Sequence, residues 1–137
     1  MITALDSSVL WAIIRREPDH ERWMAILIEA ASEGSLVISP VAFAELAPST
    51  SDAGELVDFL ARLAIAYEPI SPAAAHLAGQ TFKRYRKAGG PREHLVPDFI
   101  IAAHAQTHAN RLAAIDRGYL RRWFPSLRLL QLSSKAS

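Results

Sequence analysis

The sequence predicts an α/β fold of three layers, α/β/α, with a mainly parallel five-stranded sheet, and three observations predict it. Short apolar runs alternate with stretches of helical periodicity: ITAL precedes SSVLWAIIRR, LVIS precedes VAFAELA, and RLAAID follows PDFIIAAHAQTHA. No Asn-Gly or Asp-Gly pair marks a hairpin, so the strands need helical crossovers between them. The chain has 137 residues, half of them hydrophobic, which suits one domain, 1–137, with a core of its own.

The elements follow in order. Ile2 to Leu5 reads as a buried strand that feeds a helix from Ser7 to Arg16, and Pro18 and Asp19 separate this from a second helix, His20 to Ser32, which Gly34 ends. Leu36 to Ser39 is the next strand, and Pro40 opens the helix that carries Glu45. Pro48 to Ser51 is a loop, Asp52 caps a helix to about Leu63, and Ile65 to Tyr67 is a third strand. Ser71 and Pro72 start a long helix that ends at KAGGP. PDFIIAAHAQTHA is an apolar helix with Asp98 in its first turn, RLAAID a strand ending in Asp116, Gly118 to Phe124 a short helix, and Leu127 to Leu132 the last strand.

Bulk properties exclude several classes. The formal charge is +1, so any contact with nucleic acid must come from a local patch. There is no cysteine, which removes disulfides, thiolate metal sites and cysteine nucleophiles and fits a reducing cytoplasm. The N-terminus does not read as a signal peptide, and no apolar run approaches the roughly 20 residues that span a bilayer, so a soluble cytoplasmic protein without a membrane partner is expected.

Most of the fourteen acidic residues lie in polar runs. Asp6, Glu45, Asp98 and Asp116 do not. Asp6 and Asp116 each terminate a predicted strand, and in an open parallel sheet the carboxyl ends of the strands border the ligand crevice. Glu45 and Asp98 lie in helices able to flank that edge. Like charges about 4 Å apart repel by roughly 4 kcal/mol at an effective dielectric near 20, and a divalent cation reverses that sign. Oxygen donors without cysteine favour Mg²⁺ or Mn²⁺ over zinc, and such an ion suits phosphodiester hydrolysis. Taken singly, the aspartates also have structural readings: Asp6 and Asp98 as helix caps, Asp116 as a turn residue. Glu45 caps nothing obvious.

The ordered set LDSSVL, FAEL, PDFIIAAHA and LAAIDRGYLRRWFPSLRLL resembles the PIN domain, and within it the VapC-type toxins of type II toxin–antitoxin pairs, over nearly the whole chain. The resemblance implies a PIN-like fold and a Mg²⁺- or Mn²⁺-dependent endoribonuclease leaving 5′-phosphate and 3′-hydroxyl ends. Asp6, Glu45, Asp98 and Asp116 match the family's catalytic acids, with Asp6, Asp98 and Asp116 at the metal. Ser8 matches the small hydroxyl or amide residue that orients the first aspartate or a water. It further implies a VapB-like antitoxin partner, whose C-terminal segment occupies a groove near the first two helices, and a homodimer. One position departs: many members carry Thr or Ser two residues before the last aspartate, where this chain has Ala114.

Other features compete for attention. KRYRKAGGPR, with Lys83, Arg84 and Arg86, is a candidate RNA-contacting cluster, although the helix dipole alone favours basic residues at a helix C-terminus. Arg117, Arg121 and Arg122 form a second basic set close to Asp116 that is better placed to meet a phosphate, with Arg117 and Arg121 as candidate RNA contacts. His104 and His108 have the spacing of a zinc pair, but Ala105 replaces the glutamate of H-E-x-x-H, so a solvated or partly buried helix face is expected. LDSS lacks the second aspartate of aspartyl-phosphate phosphatases, and no phosphate-binding glycine loop occurs. Two alternatives to a ribonuclease stand: a metal-free protein- or nucleic-acid-binding module of the same fold, and a metal-dependent phosphodiesterase that prefers DNA.

Overall fold

The computed structural model describes residues 1–92, 95–116 and 118–133. Among these residues the order is β1 (Ile2–Leu5), α1 (Ser7–Ile14), α2 (His20–Glu33), β2 (Ser35–Ile38), α3 (Pro40–Leu46), a 3₁₀ turn (Ala47–Ser49), α4 (Ala53–Arg62), β3 (Ile65–Tyr67), α5 (Pro72–Lys87), α6 (Pro97–His108), β4 (Arg111–Ala113), α7 (Tyr119–Trp123) and β5 (Leu129–Leu130). The expected α/β fold and its five strands are present. The sheet runs β3-β2-β1-β4-β5 and every neighbouring pair is parallel, with Ala4 opposite Val37 on one side and Leu112 on the other. Because crossovers are right-handed, a sheet that grows from β1 through β2 to β3 and then steps back across β1 to β4 carries helices on both faces.

That step back fixes the site. The strand order reverses between β1 and β4, and the crevice of such a sheet lies at this switch point, outside the carboxyl ends. The central strands are buried almost throughout, as parallel strands covered on both sides must be. Where the chain continues past them it turns polar, at Asp6 and Asp116.

Caps and prolines set the helix starts. Ser39 and Ser71 each accept the amide three residues on, ahead of Pro40 and Pro72, and Asp52 accepts the Glu55 amide at 2.8 Å. Behind the carboxyl edge, α5, α6 and α7 enclose an aromatic cluster: Phe99, with no exposed surface, meets Tyr85 edge-on at 5.4 Å and Phe124 at 5.5 Å, and Tyr85 also meets Trp123. Burying each such ring contributes about 1.5–3 kcal/mol, so this wall of the site is firm. At the opposite end of the sheet, buried Arg111 donates to Thr3 and pairs with Glu33 at 3.1 Å.

Four expectations need correction. β4 stops at Ala113, short of Asp116, because the next amides go elsewhere: Ala114 donates to the Leu130 carbonyl, and Ile115 donates to the Ser8 hydroxyl. β5 keeps only Leu129–Leu130, and α1 ends at Ile14, followed by Arg16 at φ +50°. His104 is fully buried in the core rather than solvated or partly buried, while His108 is partly buried as expected. Among the described residues no helix is long and apolar enough to cross a membrane.

Candidate active site

Asp6 follows the last residue of β1, and its amide donates to the Ala113 carbonyl at 2.9 Å, so β4 fixes where the carboxylate stands. The side chain caps α1, accepting from the Ser8 amide at 3.4 Å, and accepts the Ser8 hydroxyl at 2.5 Å. Capping and site-lining are therefore both true of this residue. Asp116 is similar. Its carboxylate accepts the Leu120 amide at 3.0 Å and the Arg121 amide at 3.4 Å, satisfying the first turn of α7.

Asp98 is not a cap. Pro97 is the first residue of α6, which makes Val96 the cap position, and Asp98 stands inside the first turn with its carboxylate turned to the cleft. Glu45 projects from α3 and accepts the Ser7 hydroxyl at 2.9 Å. Ser7 had no signal of its own in the sequence beyond its place beside Ser8.

All four acids line one cleft of about 580 Å³ at the carboxyl ends of β1 and β4, walled on the far side by Tyr85, Tyr119 and Arg92. Their electrostatics are linked. Burial raises the Asp6 carboxyl above its ordinary value; the Ser8 hydroxyl opposes this and the Asp98 charge adds to it. Burial also raises Glu45, opposed by Ser7 and reinforced by Asp6 and Asp98. Asp98 keeps a face to solvent, and it too is raised, first by the partial burial of a cleft wall; Arg92 pulls it down and Asp116 pushes it up. Asp98 is thus the carboxylate that interacts with each of the other three.

Among the described residues no three acidic or histidine side chains close tightly enough on one point to enclose an ion by themselves. An all-oxygen set spread along one wall could hold a hard cation that uses one or two carboxylates at a time and completes its shell with water. Burial first, then Tyr85, with which it shares a hydrogen bond, and Asp98 push the Tyr119 phenol up to about 12, so it stays protonated beside the acids.

The basic residues separate into two groups. Arg86 donates to the Gly90 carbonyl at 2.7 Å, Arg84 to the Thr81 hydroxyl at 3.1 Å, and Arg121 to Gln131, while Lys83 is exposed. None of these lines the acidic cleft, whereas Arg92 does. Nothing in the composition of KRYRKAGGPR separates Arg92 from its neighbours; only the turn at Gly89 and Gly90 hints at it. Arg117 lies outside the described residues. Ala114 is fully buried and borders a separate cavity of about 460 Å³ next to Asp116, with Trp23 and Gln131.

The same fold recurs in known proteins. The chain is similar to solved chains of VapBC2 from Rickettsia felis, bound to a DNA fragment from their promoter (TM-score 0.72, 25% identity, covering 97% of this chain and 100% of that one). It is similar in fold to VapBC-1 from nontypeable Haemophilus influenzae (TM-score 0.69, 20% identity, 96% and 98%) and to FitAcB from Neisseria gonorrhoeae (TM-score 0.63, 22% identity, 94% and 96%). No curated protein matches it in sequence. The family profile described as PIN domain spans residues 3–122, from within β1 to within α7 and so across all four acids of the cleft, and on that match the chain belongs to the PIN-domain family.

Proposed function

We propose that this chain is a Mg²⁺- or Mn²⁺-dependent endoribonuclease and the toxin of a toxin–antitoxin pair. One observation carries the reading: four carboxylates, from the residue after β1, from α3, from α6 and from the segment after β4, line a single cleft at the switch point of a parallel sheet. The donor set fits a hard divalent cation, with Asp6, Asp98 and Asp116 holding it and Glu45 ligating or positioning the nucleophile. When bound, such an ion supplies Lewis acidity and charge neutralisation for phosphodiester hydrolysis.

The chain's own groups do the rest. Ser8 fixes the rotamer of Asp6 and ties it to the backbone after β4. Ser7 occupies Glu45 Oε1, so Oε2 is the atom assigned to receive a proton from the attacking water. Glu45 suits that task because its carboxyl is raised. Tyr119 keeps its proton at neutral pH and, hydrogen-bonded with Tyr85, adds a neutral polar wall to the cleft.

The toxin reading draws on the relatives, which were solved as VapBC and FitAB complexes. A groove of about 340 Å³ between α1 and α4, lined by Ile13, Ile14 and Phe59 with Glu55 and Arg62 at its edge, suits the apolar face of an antitoxin helix. A single domain over 1–137 and a homodimer belong to the same reading.

The test is incubation of the partner-free protein with a mixed RNA pool, and in parallel a DNA pool, in Mn²⁺ or EDTA, with Asp98→Asn as control. RNA fragments that need both metal and Asp98 support the reading. Cleavage of DNA alone moves it to a deoxyribonuclease. A folded protein that Mn²⁺ does not stabilise and that cuts neither is a metal-free binding module.

A further inference from the structure

We propose that Arg92 forms a phosphate-binding subsite in the cleft, holding a phosphodiester of single-stranded RNA beside the carboxylates. This rests on the nuclease reading above and deepens it.

The argument begins with charge. Four ionised carboxylates set against one divalent ion leave the cleft two charges negative, and a polyanionic substrate must still enter it. Arg92 is the cation among the described residues lining that cleft, and it halves the excess. Its charge reaches the site, since Asp98 is pulled down by it. Yet Arg92 forms no ion pair within 4.0 Å among the described residues, so its guanidinium is not locked onto a carboxylate and stays available to an incoming anion.

The backbone places Arg92 deliberately. After α5 the chain turns through Gly89 at φ +90°, and Gly90 is then held at both ends: its amide donates to the Tyr85 carbonyl at 2.9 Å and its carbonyl accepts from Arg86 at 2.7 Å. Pro91 fixes the next φ. Arg86 of the preceding helix therefore braces this turn, and Arg92, two residues beyond the clamp, is the one delivered to the cleft. A planar guanidinium takes two phosphate oxygens at once, which a lysine does not.

The experiment compares wild type, Arg92→Gln and Arg92→Lys in two measurements: cleavage of a short unstructured RNA across a salt series, and thermal stabilisation across a Mn²⁺ series without RNA. Arg92→Gln should lower kcat/KM about 10- to 100-fold and flatten the logarithmic salt dependence by about 0.7. The same change should reduce the Mn²⁺ concentration for half-maximal stabilisation by about 2- to 5-fold, because a like charge has left the ion's surroundings. Arg92→Lys should restore the salt dependence and only part of the rate. Opposite effects on RNA and on metal are what a merely structural residue would not give. Wild-type cleavage and salt dependence in Arg92→Gln overturn the proposal, as does a parallel loss of RNA cleavage and Mn²⁺ stabilisation. If wild type binds Mn²⁺ but cuts no RNA, the nuclease reading itself falls, and the Arg92 subsite with it.

Discussion

Ser8 holds Asp6 through its hydroxyl at 2.5 Å while the same oxygen accepts the Ile115 amide at 3.2 Å, so one side chain joins the ends of β1 and β4 at the point where the cleft opens. The bond also opposes the effect of burial on Asp6 and keeps its carboxyl closer to the ionised form. Ser8→Ala removes both functions. It should lower cleavage about 10-fold and the melting temperature by about 3 °C, consistent with the loss of one hydrogen bond to a charged group. Melting curves and kcat/KM on the same preparation check this; unchanged cleavage would remove Ser8 from the site.

The raised carboxyls make the site a cost to the metal-free fold. A carboxyl whose folded value exceeds its unfolded one contributes stability that is fully present below the unfolded value, here 3.8 for Asp98, and lost as pH rises through the folded value. At pH 7 the cluster therefore works against folding. Asp98→Asn should raise the melting temperature of the metal-free protein by about 1–3 °C, allowing for the solvent screening of an exposed group, while abolishing cleavage. Mn²⁺ at roughly a hundred times its dissociation constant should stabilise the wild type by about 2.7 kcal/mol and the variant by much less. A destabilised Asp98→Asn at pH 7 would contradict the electrostatic account.

Much of this was legible in the sequence, because parallel strands buried on both faces must read as apolar runs and an acid at the end of one stands out. Asp6 and Asp116 were found that way. What misled was continuity: LAAI stays apolar beyond Ala113, yet Ile115 pairs with a serine hydroxyl instead of a strand. Asp98 resembled a cap because a proline preceded it, but proline at the first helical position moves the cap to Val96. His104 is buried against Glu68, from the segment after β3, and the use of Arg92 depends on a turn folding back over Tyr85. Both are tertiary facts with no local periodicity to announce them.

His104 has Nε2 at 2.8 Å from Glu68 Oε1, and among the described residues its Nδ1 has no partner. Burial lowers the imidazole below its ordinary value and outweighs the pull of Glu68. A histidine favoured neutral in the fold gives stability that is complete above the unfolded value, about 6.5, and lost as pH falls toward the folded one. The wild type should therefore lose stability below about pH 6.5 relative to His104→Gln, with a slope of at most about 1.4 kcal/mol per pH unit, the limit for one proton. Taking the difference between the two proteins cancels the opposite slope of the acid cluster. Parallel stability profiles from pH 8 to 5 would contradict it.

Gly90 offers a test of how firmly the cleft wall is set. A β-carbon there would stand 2.3 Å from Tyr85 Cε1 and 2.5 Å from Cδ1. The ring cannot retreat, because Tyr85 is 7% exposed and packed against Phe82, Phe99, Tyr119 and Trp123. Gly90→Ala should then cost about 1–3 kcal/mol through overpacking and shift the turn that carries Arg92. Gly89→Ala meets nothing within 4 Å and suffers only its φ of +90°, a strain on the order of 1 kcal/mol. Denaturant melts should rank the two variants in that order. Cleavage should fall further in Gly90→Ala than in Gly89→Ala, even where both are folded, because only the first displaces the clamp between Tyr85 and Arg86.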